Sequence, residues 1–118
     1  KLMLMKVYDS DDFAEYLDLK TIKLKDNKNI FEVEEIVDFK NPRKLASDES
    51  YISMRVKAQY NLEHRLRKSI SKIACADAMG GGTVILNDDK EGSWEEITSD
   101  SNNEKKFELL MRNKKNKD

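Results

Sequence analysis

Residues 51–61 carry the pattern that most restricts the fold. Ile52, Met54, Val56, Ala58 and Tyr60 alternate strictly with Ser53, Arg55, Lys57 and Gln59. Successive side chains of an extended strand point to opposite faces, so this segment predicts a half-buried strand with a wet, basic outer side. Such a strand needs paired neighbours and an apolar layer over its inner face. With 118 residues, 38% of them apolar and 38% charged, the chain has apolar material for one such core and little for a second. The expectation is a single domain over 1–111 followed by a disordered basic tail, 112–118.

Beyond Tyr60 the period changes. Leu62, Leu66, Ile70 and Ile73 fall within about 80° of one another at about 100° per residue. This predicts an amphipathic helix of about 18 residues, opened by an Asn61 cap and closed by Gly80. Gly81 and Gly82 then lead into Thr83–Leu86, whose β-branched, apolar make-up suits a buried strand. Upstream, Leu2–Val7 reads as a first strand. Asp12 and Glu15 form a capping-box pattern that predicts a helix of about two turns through Phe13, Tyr16 and Leu17. Ile22 and Leu24 alternate with lysines and Phe31 and Val33 with glutamates, on either side of Asp26–Asn29, which predicts a hairpin. Over 30–39 a strand is preferred to a helix capped by Asn29 and Glu32, and Pro42 predicts a loop through Ser50. Trp94–Thr98 reads as a strand. Phe107–Met111 reads as a last strand, with a helix capped by Ser101 and Glu104 as the alternative. The fold class expected is α+β, one main amphipathic helix packed on a mostly antiparallel sheet.

Lys and Arg number 22 and Asp and Glu 23, so no global field draws the chain to nucleic acid or an anionic membrane. No segment approaches the roughly 20 apolar residues of a membrane helix. Local charge is less even. Residues 51–72 hold six cations against Glu63, and 88–104 hold seven acids against Lys90. On the expected helix Arg65, Lys68 and Lys72 make a basic ridge, the candidate partner-binding residues. Without interleaved aromatics or a reading motif, that ridge reads first as a solvated face balanced by acidic neighbours, and the partner expected is a protein in preference to nucleic acid. Asn87, Asp89 and Glu91 occupy positions one, three and five of a calcium-loop pattern with Gly92 at six, which makes them the candidate metal ligands. Position twelve is Thr98 where the bidentate Glu belongs, so that Glu95 or Glu96 would have to supply the carboxylate, and a polar turn joining two strands is the preferred reading. Cys75 and His64 would lie about 16 Å apart along a helix axis, too far to act as nucleophile and base. No catalytic residue and no cofactor is expected.

Residues 66–86, LRKSISKIACADAMGGGTVIL, resemble a pattern in which a helix beginning with Leu-Arg ends at a glycine and enters a buried strand. Leu66, Arg67, Met79 and Gly80 match it, with Gly81 and Gly82 where Ala-Asn is usual. Val7–Ile22 is similar to the same family's first strand and the step after it, with Asp18 in place of a glycine. The family is that of small bacterial envelope lipoproteins similar to the Rcs stress-sensor lipoprotein, together with heavy-metal-binding-domain-like proteins. The resemblance implies an α+β domain, export, and a lipid anchor upstream of Lys1. The chain departs from the family in one respect: the sensor lipoprotein relies on disulfides, which Cys75, the single cysteine, cannot make. The function expected is a non-enzymatic binding or sensing module, placed at the cell envelope or periplasm in preference to the cytoplasm. The alternative is a cytosolic accessory protein that contacts nucleic acid or a protein through the basic ridge.

Overall fold

Six strands lie side by side in chain order as an antiparallel meander: β1 (Leu4–Asp9), β2 (Phe13–Lys25), β3 (Ile30–Lys44), β4 (Ser50–Asn61), β5 (Leu66–Cys75) and β6 (Val84–Asp88). The two-residue strand β7 (Glu95–Glu96) pairs with the far end of β5, and a helix, α1 (Asn102–Lys117), follows. The computed structural model describes residues 3–25 and 29–117. Most of the expected turn at Asp26–Asn29 lies outside the described residues. The strands flanking it pair as a hairpin, Lys23 with Glu32 and Lys25 with Ile30.

The α+β expectation is overturned. The fold is β-rich with one C-terminal helix among the described residues, and the segment expected to be the main helix is β5. A bulge explains the error. Lys57 faces Ser71 and Ala58 faces Ser69, which leaves Ile70 as an extra residue. One inserted residue reverses the phase of a two-residue alternation, so Leu66, Ile70 and Ile73 end up four and three apart, the spacing of a helix face. Asn61 does cap, but only a single turn. Its Oδ1 accepts from the amides of Glu63 at 3.1 Å and His64 at 3.0 Å, and Arg65 at φ 53° sends the chain back. Ser10 plays the same part between β1 and β2. Its Oγ accepts from the Phe13 amide at 3.2 Å, and Phe13–Leu17 is strand instead of the expected short helix.

The three glycines also differ from expectation. Ala78–Gly80 form a single 3-10 turn that folds back onto β3 and β4. The Met79 amide donates to Asp38 Oδ1 and the Gly80 amide to Ser53 Oγ, both at 2.8 Å. Gly80 and Gly82 have φ of +74° and +75°, a region that side chains disfavour, and a Cβ on Gly80 would stand 2.7 Å from Arg55 Cγ. These glycines therefore serve a tight turn, not a helix stop. The strand they lead into is a sheet edge, with Val84 and Leu86 49% and 47% exposed, not the buried strand expected. The expected loop at 41–50 is shorter, because β3 continues to Lys44. Pro42 is accommodated where the β3–β4 register breaks, between Asp38 and Arg43, so its missing amide costs no ladder bond.

At the C-terminal end the capped-helix alternative is the one observed. Ser101 Oγ accepts from the Glu104 amide at 3.1 Å, and Glu104 Oε1 accepts from the Asp100 amide at 2.9 Å. Phe107–Met111 is therefore helix, not a last strand, and α1 runs on through 112–117. Phe107 and Leu110 enter a core made by Leu17, Phe31, Val33, Ala58, Tyr60, Leu62 and Ile97. Burying each such side chain contributes about 1.5–3 kcal/mol, and this layer fixes α1 on one face of the sheet.

Candidate functional site

The helix-side face of the sheet has two halves. Alternation along β3 places Phe31, Val33, Glu35, Val37 and Phe39 on it. Beneath α1 the apolar series is interrupted by Glu35, which is only 2% exposed. Its carboxylate accepts hydrogen bonds from Lys106 Nζ and Arg67 Nη2, each at 2.8 Å, and from the Tyr60 hydroxyl. Lys106 Nζ also lies 3.2 Å from Glu15 Oε2. Burial drives the Glu35 carboxyl upward, but the charges of Lys106 and Arg67 and their hydrogen bonds outweigh it and hold it at about 2. Burial also opposes the Arg67 charge, and Glu35 overcomes that, raising the guanidinium. The Tyr60 hydroxyl is raised by burial and then by the Glu35 charge. Two carboxylates thus face two cations inside the core. Every group in this cluster has an internal partner, and the cluster clamps helix to sheet.

The other half of the same face has no helix over it. The register aligns Val37, Met54, Ala74 and Leu86 in one row across four strands, and Glu15, which Lys106 holds, marks where that row meets the half under α1. Beside it runs a row of four rings. Tyr8 and Phe13 have centroids 5.2 Å apart, Phe13 and Phe39 6.2 Å, and Phe39 and Tyr51 5.9 Å. All four rings, with Val37 and Met54, are only half-buried. The rim is charged. The Arg43 guanidinium sits 4.4 Å over the Phe39 ring and the Lys105 ammonium 5.3 Å over that of Tyr8, while Lys40 pairs with Asp9 at 3.0 Å. Aromatic residues at the centre and cations at the edge are the make-up of a protein contact surface.

The residues singled out from sequence are dispersed. Arg65 Nη2 is 2.8 Å from Glu104 Oε2, and its guanidinium lies 4.8 Å from the Phe107 ring. Lys68 is 2.6 Å from Glu91 and 4.6 Å from the Trp94 ring. Lys72 stands opposite Val56 and Asp88, and the bulge at Ile70 puts it on the sheet face opposite to that of Lys68. Asn87 pairs with Ile73 in β6, whereas Asp89 and Glu91 lie in the loop beyond. The structure brings together only Lys68 and Glu91, one from each expected site. Among the described residues no group of three or more His, Cys, Asp or Glu is placed to hold a metal ion. His64 is exposed in the β4–β5 turn, and Cys75 is buried at the other end of β5. Phe13, Phe39 and Tyr51 were not legible as a group, since only strand register aligns residues so far apart in sequence. The one available signal was Phe39 extending the series Phe31, Val33, Val37.

A comparison with curated proteins gives no match. Solved structures of Haemophilus influenzae protein E share the fold at 14% identity. Crystal form II gives a TM-score of 0.74 over 84% of this chain and 80% of that one. A second structure gives 0.72 over 84% and 77%, and the selenomethionine form 0.69 over 84% and 79%. A family model described as surface-adhesin protein E matches residues 2–110. These findings overturn the likeness to Rcs-type and heavy-metal-binding-domain-like proteins, whose motif required a helix where β5 lies. With the match spanning nearly its whole length, the chain belongs to the surface-adhesin protein E family.

Proposed function

We propose that this chain is a non-enzymatic adhesin domain, displayed at a bacterial surface, that binds a protein partner through the open half of its helix-side sheet face. The observation that carries the reading is the row of Tyr8, Phe13, Phe39 and Tyr51, half-buried and rimmed by Arg43 and Lys105. Large rings left half-exposed on a rigid sheet offer contact area at little entropic cost. Membership of the surface-adhesin family supports the same role and location.

The test is adherence of beads coated with the chain to an epithelial monolayer. Phe39→Asp combined with Tyr51→Asp should abolish it, while Leu24→Asp, at an exposed apolar position on the hairpin away from the row, should leave it intact. Equal loss in both variants, or none in either, would remove the aromatic row from the binding role.

A further inference from the structure

The sheet face opposite α1 holds a second surface, distinct from the aromatic row. Its register sets Lys23, Glu32 and Gln59 in one row and Asp18, Glu34 and Lys57 in the next. Between Asp18 and Lys23, β2 leaves the ladder, and the detour is held by its own hydrogen bonds. The Lys20 amide donates to Asp18 Oδ1 at 3.1 Å. Thr21 Oγ1 donates to the Asp18 carbonyl at 2.8 Å and accepts from the Glu34 amide at 2.9 Å. Bulges re-aim side chains, and this one brings Lys20 to a cleft of about 320 Å³ lined also by Thr21, Lys23, Glu32, Glu34 and Lys57.

The charges in this cleft do not balance. Glu34 is in an ion pair with Arg55, and Glu32 accepts from Gln59 Nε2 at 2.9 Å and lies 3.9 Å from Lys25 Nζ. Among the described residues, none of Lys20, Lys23 and Lys57 is in an ion pair. Three lysines with no ion-pair partner therefore line one cleft beside two carboxylates that other cations already engage, which leaves the cleft a local excess of positive charge.

We propose that this cleft binds a sulfated polysaccharide, with sulfates on Lys20, Lys23 and Lys57 and sugar hydroxyls donating to Glu32 and Glu34. The lining selects this class among polyanions. It offers no ring on which a base stacks and no apolar side chain to enter a bilayer. Its mixture of cations and carboxylates matches a ligand that carries both anions and hydroxyl donors.

Titration of the full chain with a heparin octasaccharide tests the assignment. Lys20→Ala, Lys23→Ala and Lys57→Ala together should weaken binding by about tenfold or more and flatten its salt dependence. Lys44→Ala, Lys72→Ala and Lys90→Ala, which remove the same charge elsewhere, should change it by less than about twofold. Replacing the three cleft lysines by arginine should retain binding. Equal loss in both alanine triples, no binding by the native chain at low salt, undiminished binding of desulfated heparin, or tighter binding to duplex DNA or phosphatidylserine vesicles would each overturn it. All the substituted lysines are exposed, so the variants should retain the native circular dichroism.

Discussion

The two halves of the helix-side face are built from the same strands and differ in what lies over them. Under α1 the sheet presents Leu17, Phe31, Val33, Ala58 and Tyr60, closed by Phe107 and Leu110. Beyond it the sheet presents Phe13, Val37, Phe39, Tyr51 and Met54, all half-buried. In the closed half even the polar groups are internally paired, Glu35 with Lys106, Arg67 and Tyr60. In the open half the cations stand at the rim and the rings face outward. One half of the face is thus committed to stability and the other is available for contact.

The largest expected effect breaks the closed half. Glu35→Ala leaves Lys106 and Arg67 facing each other without their shared carboxylate, and loss of one partner of a buried ion cluster costs about 3–5 kcal/mol, read from urea denaturation. Acid should act at the same place. Folding lowers the Glu35 pKa from 4.5 to about 2, so between these values the folded chain binds fewer protons than the unfolded one. The stabilisation is complete above pH 4.5 and drains away as pH falls toward 2. Glu35→Gln should lower stability at pH 7 and flatten its dependence on pH across that window, and an unchanged acid limb would remove Glu35 from this role.

Smaller effects sharpen the boundary between the halves. Ser101→Ala removes the cap that starts α1 and should cost about 1 kcal/mol, seen as a lower urea midpoint with the m value unchanged. Tyr51→Ala, in the open half, should cost less than about 1 kcal/mol. If Tyr51→Ala proved as costly as Glu35→Ala, the open half would be core, and the contrast between the halves would fail.

How far the sequence revealed this arrangement depended on where the ladder stays regular. β4 was legible because its own alternation runs unbroken from Ile52 to Tyr60. The hairpin arms around Asp26–Asn29 and the preference for strand over 30–39 were legible for the same reason. β5 was not, because the extra residue at Ile70 turned a strand's alternation into helical spacing. The start of β2 was misread because Ser10 and the aspartates around it, good helix caps, here serve a hairpin corner. At Phe107–Met111 a short apolar run was compatible with either period, and the Ser101–Glu104 cap was the better guide.

The candidate surfaces were less legible than the fold. Glu35 looked like one more acid in a charged stretch, and Lys106 like part of a polar run; their pairing joins residues 71 apart in sequence. The basic ridge of Arg65, Lys68 and Lys72 assumed a helix and dissolved with it.

By itself, then, the sequence determined what short-range chemistry can encode: the strand periods where no bulge intervenes, the Ser101–Glu104 pattern that caps α1, and the absence of an internal disulfide from a chain with one cysteine. Only the tertiary structure decided which acid is buried, which rings align and which lysines line one cleft. Those are properties of register and of the placement of α1, and both are set by pairing energies between segments whose spacing in sequence carries no trace of their contact.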